Sequence, residues 1–249
     1  VNASNDTLKL TPQANWNGSS VITAIASDGT LKDSTAFTLT VTAVNDAPVI
    51  TAVADDSTNE ETQKAIVLST TDVDGDALTY SAGSDTSAVG LTISSDTLKL
   101  NPALNYTGTS VITVIVSDNK LTDTTSFTFK VINVNDAPVI AAVRDITFAE
   151  DTTGLLVLSA TDIDGDAVTY STKSSSADVA TTVSKDTLIL TPAANWNGTS
   201  TITAIASDGI ASDSTTFTLT VTSVNDAPVI TAVANDSTNE ETEKAIVLS

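Results

Sequence analysis

The string Val-Asn-Asp-Ala-Pro-Val-Ile occupies residues 44–50 and returns unchanged at 134–140 and at 224–230. A seven-residue string repeating at one fixed spacing makes the chain a tandem array, each copy a folding unit with its own core. The string also marks the boundary between copies. Pro48 lacks an N–H and fixes φ, so pairing stops there, and the apolar pair Val49-Ile50 opens the next strand. Other landmarks keep the same offset. Asp72-Val73-Asp74-Gly75-Asp76 returns as Asp162-Ile163-Asp164-Gly165-Asp166, and Asn15-Trp16-Asn17-Gly18 as Asn105-Tyr106-Thr107-Gly108 and Asn195-Trp196-Asn197-Gly198. Ser27-Asp28-Gly29 recurs as Ser117-Asp118-Asn119 and Ser207-Asp208-Gly209, and Glu60-Glu61 as Glu150-Asp151 and Glu240-Glu241. The expected division is a C-terminal part of a module in 1–46, whole modules in 47–136 and 137–226, and an N-terminal part of another in 227–249. That pattern reads as a window on a longer polypeptide.

Within a module the apolar residues alternate with period two. Residues 127–131, Phe-Thr-Phe-Lys-Val, alternate strictly, as do their counterparts at 37–41 and 217–221. Each predicts a strand with one buried face. The preceding run places Ile112, Val114 and Val116 on one side, with Ile22, Ala24, Ala26 and Ile202, Ala204, Ala206 as counterparts. Turn residues such as Asp28-Gly29 and Asp208-Gly209 join the two runs into a hairpin. Shorter strands are expected at 48–53, 65–69, 78–81, 89–94 and 97–100. The polar stretch 55–62 reads as a loop or as a strand crossing between sheets. Seven short strands in 90 residues, with no sustained helical period, predict an all-β fold of tandem seven-stranded Greek-key β-sandwiches. The aromatic at 16, 106 and 196 stands beside a turn and is expected to pack at a corner rather than stack on a ligand.

Composition narrows the chemistry. Cys, His and Met are absent, which removes disulfides, zinc sites, Ser-His-Asp triads and cysteine nucleophiles. The net charge of −21, with ten Lys plus Arg, opposes nucleic-acid phosphate. No apolar run approaches the length of a membrane span. The negative charge is clustered. Asp72, Asp74 and Asp76 crowd one turn around Gly75, and oxygen-only ligands around a tight turn suit Ca²⁺, which takes six to eight oxygens in flexible geometry. An EF-hand loop would place Gly at its sixth position and Glu at its twelfth, where this loop has Ala77 and Gly83.

The eleven-residue pattern Thr-Asp-x-Asp-Gly-Asp-Ala-x-Thr-Tyr-Ser at 71–81 and 161–171, with Ser-Asp-Gly and Val-Asn-Asp-Ala-Pro, resembles bacterial cadherin-like (Ig-like) repeats of giant RTX-type secreted adhesins. The resemblance covers the whole chain. It implies calcium held at the joints between successive modules. At the first joint the ligands implied are Asn45, Asp46, Asp72, Asp74 and Asp118. At the second they are Glu60 or Glu61, then Asn135 through its backbone carbonyl, Asp136, Asp162, Asp164 and Asp208. At the third, Glu150 or Asp151, Asn225 and Asp226 remain. The linker departs from the animal cadherin pattern: Ala43, Asn133 and Ser223 stand where an Asp is usual, which implies one or two ions per joint rather than three.

The function expected from this resemblance is non-enzymatic. It is a calcium-stiffened extension region of a bacterial adhesin, secreted or at the cell surface, whose partners are neighbouring modules of the same chain. The alternative is the repeat region of an extracellular filament or sheath, in which modules bind lateral copies of themselves. A glycosidase built on paired carboxylates needs no His, but every candidate carboxylate repeats from module to module, and aromatics for sugar stacking are scarce. Finally, residues 1–69 match 181–249 at 54 of 69 positions but match 91–159 at only 37. Modules two apart are thus closer than neighbours, either through recent unequal recombination with no mechanical meaning or because alternate joints differ, with Phe148 packing across one joint and not the other.

Overall fold

The computed structural model describes residues 2–4 and 6–248, with side chains from Asp6 onward. Two compact units, Val1–Val134 and Asn135–Ser249, share the chain. Among the described residues every regular element is a strand.

Unit 1 opens with two antiparallel hairpins, β1 (Asn2–Ser4) with β2 (Thr7–Lys9) and β3 (Gly18–Ser27) with β4 (Lys32–Val41). A sandwich follows, made of β5 (Val49–Ile50), β6 (Asp56–Asn59), β7 (Lys64–Val67), β8 (Thr70–Thr71), β9 (Thr79–Ser84), β10 (Val89–Ser94), β11 (Thr97–Pro102), β12 (Gly108–Ser117) and β13 (Thr122–Ile132). One sheet has the order β6-β13-β12-β9 and the other β10-β11-β7, with β5 paired to β8. Seven of these segments fall at the expected strands, and β6 and β8 are added to them. The polar stretch 55–62 is the crossing strand: β5 runs antiparallel to β8, and β6 runs parallel to β13 in the four-stranded sheet. Asp55 anchors that crossing, its Oδ1 accepting the Thr128 N–H at 2.7 Å.

Alternation decides which side is buried. Ile112, Val114 and Val116 of β12 and Phe127, Phe129 and Val131 of β13 face inward, against Leu98 and Leu100 of β11. Their Thr and Ser neighbours face out. Ser110 is an exception: it is buried, but hydrogen-bonded to Ser84 at 2.7 Å and to Asp85 Oδ1 at 2.8 Å, so no polar group is stranded. Truncating a core residue such as Phe129 to Ala costs about 3–5 kcal/mol. Along the β3–β4 hairpin the same face is largely exposed, Phe37 among it. No second sheet covers that face among the described residues.

Unit 2 repeats the sandwich as β14 (Val139–Ile140), β15 (Ile146–Ala149), β16 (Gly154–Val157), β17 (Ala160–Thr161), β18 (Thr169–Ser174), β19 (Val179–Ser184), β20 (Thr187–Pro192), β21 (Gly198–Ser207) and β22 (Ser212–Thr222). Its sheets have the orders β15-β22-β21-β18 and β16-β20-β19, with β14 on β17. The core is recast. Ala204, Ala206 and Leu219 stand where unit 1 has Val114, Val116 and Phe129, and all are fully buried. Phe148 fills part of the difference. It lies against unit 2's own core and over Gly154, where a Cβ would come within 2.4 Å of its ring. The expectation that Phe148 packs across a joint is therefore corrected. The glycine opposite opens a slot that draws the ring inward, whereas unit 1 has Thr58 and Lys64 at these positions. Residues 223–248 form no strand.

Tyr106 and Trp196 pack against their cores as expected, whereas Trp16 is exposed. Trp16, Tyr106 and Trp196 fold back over Gly18, Gly108 and Gly198, whose φ values of 135°, 147° and 151° suit only glycine.

Candidate metal centre

In both units the acidic loop is built by the same bonds. Asp72 Oδ1 accepts the N–H groups of Asp74 (2.9 Å) and Asp76 (3.2 Å), with Gly75 at φ 74° between them. Asp162 Oδ1 does the same for Asp164 (3.0 Å) and Asp166 (3.1 Å). In unit 2 this turn brings the three carboxylates together. Asp74 Oδ2 then accepts the Asp46 N–H at 2.8 Å, and Asp164 Oδ2 the Asp136 N–H at 2.8 Å, which ties the Asn-Asp of the boundary string to the loop.

The hairpin turn supplies the third wall. Asp118 Oδ1 accepts the Lys120 and Leu121 N–H groups at 2.7 and 2.6 Å, and its Oδ2 accepts Asn45 Nδ2 at 2.7 Å. Those bonds, that of Leu121 foremost and that of Asn45 next, hold its carboxyl at about 2. Asp208 repeats the arrangement with Ile210 (2.6 Å), Ala211 (2.7 Å) and Asn135 Nδ2 (2.8 Å), and its carboxyl is likewise lowered, mainly by the Ala211 N–H. The Asn side chain also folds onto the backbone oxygen of the next residue, Asn45 on Asp46 and Asn135 on Asp136, both at 3.0 Å.

Three oxygens in these two loops are buried and have no hydrogen-bond partner: Asp72 Oδ2, Asp162 Oδ2 and Asn135 Oδ1. A buried acceptor without a donor is costly, and a buried carboxylate oxygen more so. In unit 2, Asp162, Asp164 and Asp166 bring an oxygen each within 4.8 Å of one another. The donors are oxygen only and the loop is flexible around glycine, so the residues present fit a calcium ion.

The structure also sorts the remaining candidates. Glu60 is buried, and its Oε1 accepts the Val134 N–H at 2.7 Å. Glu150 is buried too, and accepts the Val224 N–H at 2.7 Å. Both therefore point at the boundary string that leaves their own sandwich, at the far end of β13 and β22 from the acidic loop. Glu61 and Asp151 lie next to them at φ 56° and 61° and are exposed, with Asp151 bonded to the Asn195 N–H at 3.0 Å. The left-handed backbone at these positions turns them away, so Glu60 and Glu150 are the better placed of each pair. Asp226 is exposed, and its backbone oxygen takes Asn225 Nδ2 at 3.3 Å.

Two acidic pairs carry a structural duty that the sequence reading missed. Asp123 Oδ2 accepts the Ile50 N–H at 2.9 Å and Asp213 Oδ2 the Ile140 N–H at 3.0 Å, pinning the first strand just after the boundary proline. Asp55 and Asp145 serve the crossing strand. The recurrence of Asp at 33, 123 and 213 was the available signal.

Residues 45–130 and 135–222 each match the family described as bacterial Ig domain. No curated protein matches the sequence. Among solved structures, PcdhgB3 EC1-4 is similar at 17% identity over 84% of this chain and 58% of that one, with a TM-score of 0.55. Mouse protocadherin-24 EC1-3 is 19% identical over 84% of this chain and 81% of that one, at 0.49. An endo-fucoidan hydrolase, MfFcnA4 of glycoside hydrolase family 107, is 21% identical at 0.34, and the chain spans only 35% of its length. At such identities the likeness concerns the fold alone. Two copies matched along most of the chain establish its family: the chain belongs to the bacterial Ig domains, present here in tandem.

Proposed function

We propose that the chain is a calcium-stiffened extension region of a large bacterial adhesin, secreted or displayed at the cell surface, and that it is not an enzyme. Its modules are taken as 47–136 and 137–226, flanked by parts of others in 1–46 and 227–249. The observation that carries this reading is the doubly built loop, with buried oxygens of Asp72, Asp162 and Asn135 left without a donor. Asn45, Asp46, Asp72, Asp74 and Asp118 would hold one ion, and Asn135, Asp136, Asp162, Asp164 and Asp208 its repeat. Glu60 and Glu150, held against the outgoing boundary strings, are the upstream ligands this reading assigns. When bound, the ion supplies a fixed positive centre that neutralises the crowded carboxylates and restrains the linker, otherwise a hinge. The residues themselves shape the loop: Asp72 and Asp162 hold the turn, and Asp74 and Asp164 tie it to the linker. Adding near-copies adds length without new chemistry, which suits a spacer.

Titration calorimetry of the 249-residue chain with calcium chloride tests the proposal. One or two ions per loop are expected, and the double change Asp162→Asn with Asp164→Asn should remove the ions of unit 2 while circular dichroism stays that of the parent. No heat of binding, with identical melting in calcium and in chelator, sinks the assignment. Electron microscopy separates the filament alternative: single extended particles support a stalk, and regular bundles support lateral assembly.

A further inference from the structure

Among the residues in which the two loops differ, one changes the charge. Position 120 is Lys, where the repeat has Thr30 and Ile210. The Lys120 ammonium donates to Asn45 Oδ1 at 2.7 Å and to Asp76 Oδ2 at 3.2 Å. In unit 2 neither contact exists. Asn135 Oδ1, the counterpart of the oxygen that Lys120 takes, is buried without a partner. Asp166, the counterpart of Asp76, converges with Asp162 and Asp164 instead, whereas Asp72, Asp74 and Asp76 form no such group among the described residues.

We propose that Lys120 is a built-in cation that takes over part of the first loop's ion site, so that the two tandem loops have unequal demands for calcium. The proposal rests on the calcium reading above and assigns its regulation. The Lys120 ammonium holds Asn45 Oδ1 at 2.7 Å, in competition with a calcium ion that would take that oxygen at about 2.3–2.6 Å. It also binds Asp76, which forms no group with Asp72 and Asp74 among the described residues, and adds a like charge beside the ion. Loop one is partly neutralised without metal. Loop two, with Ile210, depends on metal wholly. The alternation seen in the sequence, in which modules two apart agree better than neighbours, then has a chemical content: neighbouring joints engage at different calcium levels.

The test uses the whole chain in three forms: parent, K120I and I210K. Calorimetry in low salt should resolve a weaker and a tighter class of site in the parent. K120I should tighten the weaker class about tenfold, and I210K should weaken the tighter class by a similar factor, as expected for a unit charge a few ångströms from a divalent ion in a solvated site. A second reading needs no calcium. In chelator, I210K should raise the melting temperature by a few degrees and K120I should lower it, because the ammonium relieves carboxylate repulsion in one and is lost in the other. If calcium binds the parent but both variants leave affinities and chelator melting unchanged, Lys120 is only a surface lysine and the inference is overturned while the calcium reading stands. If no form binds calcium, the calcium reading falls and the inference with it.

Discussion

Asp118 shows how one carboxylate can shape a loop. Its two oxygens collect the N–H groups of Lys120 and Leu121 and the amide of Asn45, and the result is a carboxyl held at about 2 instead of 3.8. The unfolded chain therefore binds more protons here than the folded one as the pH falls below about 4. Its contribution to stability is fully present above 3.8 and is lost as pH falls toward 2. Asp208 shifts in the same direction for the same cause. In chelator, urea unfolding between pH 2 and 5 should show stability rising with pH, and Asp118→Asn should flatten that rise for unit 1. An unchanged slope would mean the bonds to Asp118 are not kept in solution. These partners were not readable in advance. The sequence shows an Asp in a turn, which is an ordinary turn residue, but its bond to an Asn 73 positions earlier exists only after the sandwich has closed.

Strands were the most legible part of the chain, because a period of two leaves little choice of face. Residues 89–94 were expected as a strand and are one, and Ile112, Val114 and Val116 are buried as the alternation requires. The crossing strand was harder, since β6 is polar and owes its position to a parallel ladder with β13 and to Asp55, both distant in sequence. Harder still was the pairing of Phe148 with Gly154 across β15 and β16. A lone aromatic replacing a threonine gives no hint of direction, and the glycine that receives it looks like an ordinary strand defect. That pair makes a prediction. Gly154→Ala pushes a Cβ into the Phe148 ring and should destabilise unit 2 by about 1–3 kcal/mol. Adding Phe148→Thr, the residue unit 1 uses, should relieve the clash, so the double change costs less than the two single changes summed. Additive costs, measured by urea unfolding, would show that the ring does not sit over Gly154.

At the scale of the molecule, stability is expected to follow metal by mass action. An ion that binds only the folded loops stabilises them by about 2.7 kcal/mol at a hundredfold excess over its dissociation constant. Calcium should raise the melting temperature markedly and magnesium much less, since magnesium demands a small octahedral site and sheds water reluctantly. Equal melting in the two ions would point to general screening of the −21 net charge rather than to built sites. The acidic residues and their spacing were readable from the repeat. That Glu60 is buried and Glu61 exposed was not, because it turns on a left-handed backbone that sends one carboxylate inward and its neighbour out. The corner aromatics carry one further consequence. Because position 106 is Tyr while 16 and 196 are Trp, the sandwich of 47–134 contains no indole. Fluorescence excited at the red edge of the indole band is thus blind to that sandwich. It reports on half-buried Trp196 and, separately, on the more exposed Trp16. The repeat thus carries its own optical label on some copies and not on others, so unit 2 could be followed apart from the sandwich of 47–134 without attaching a dye.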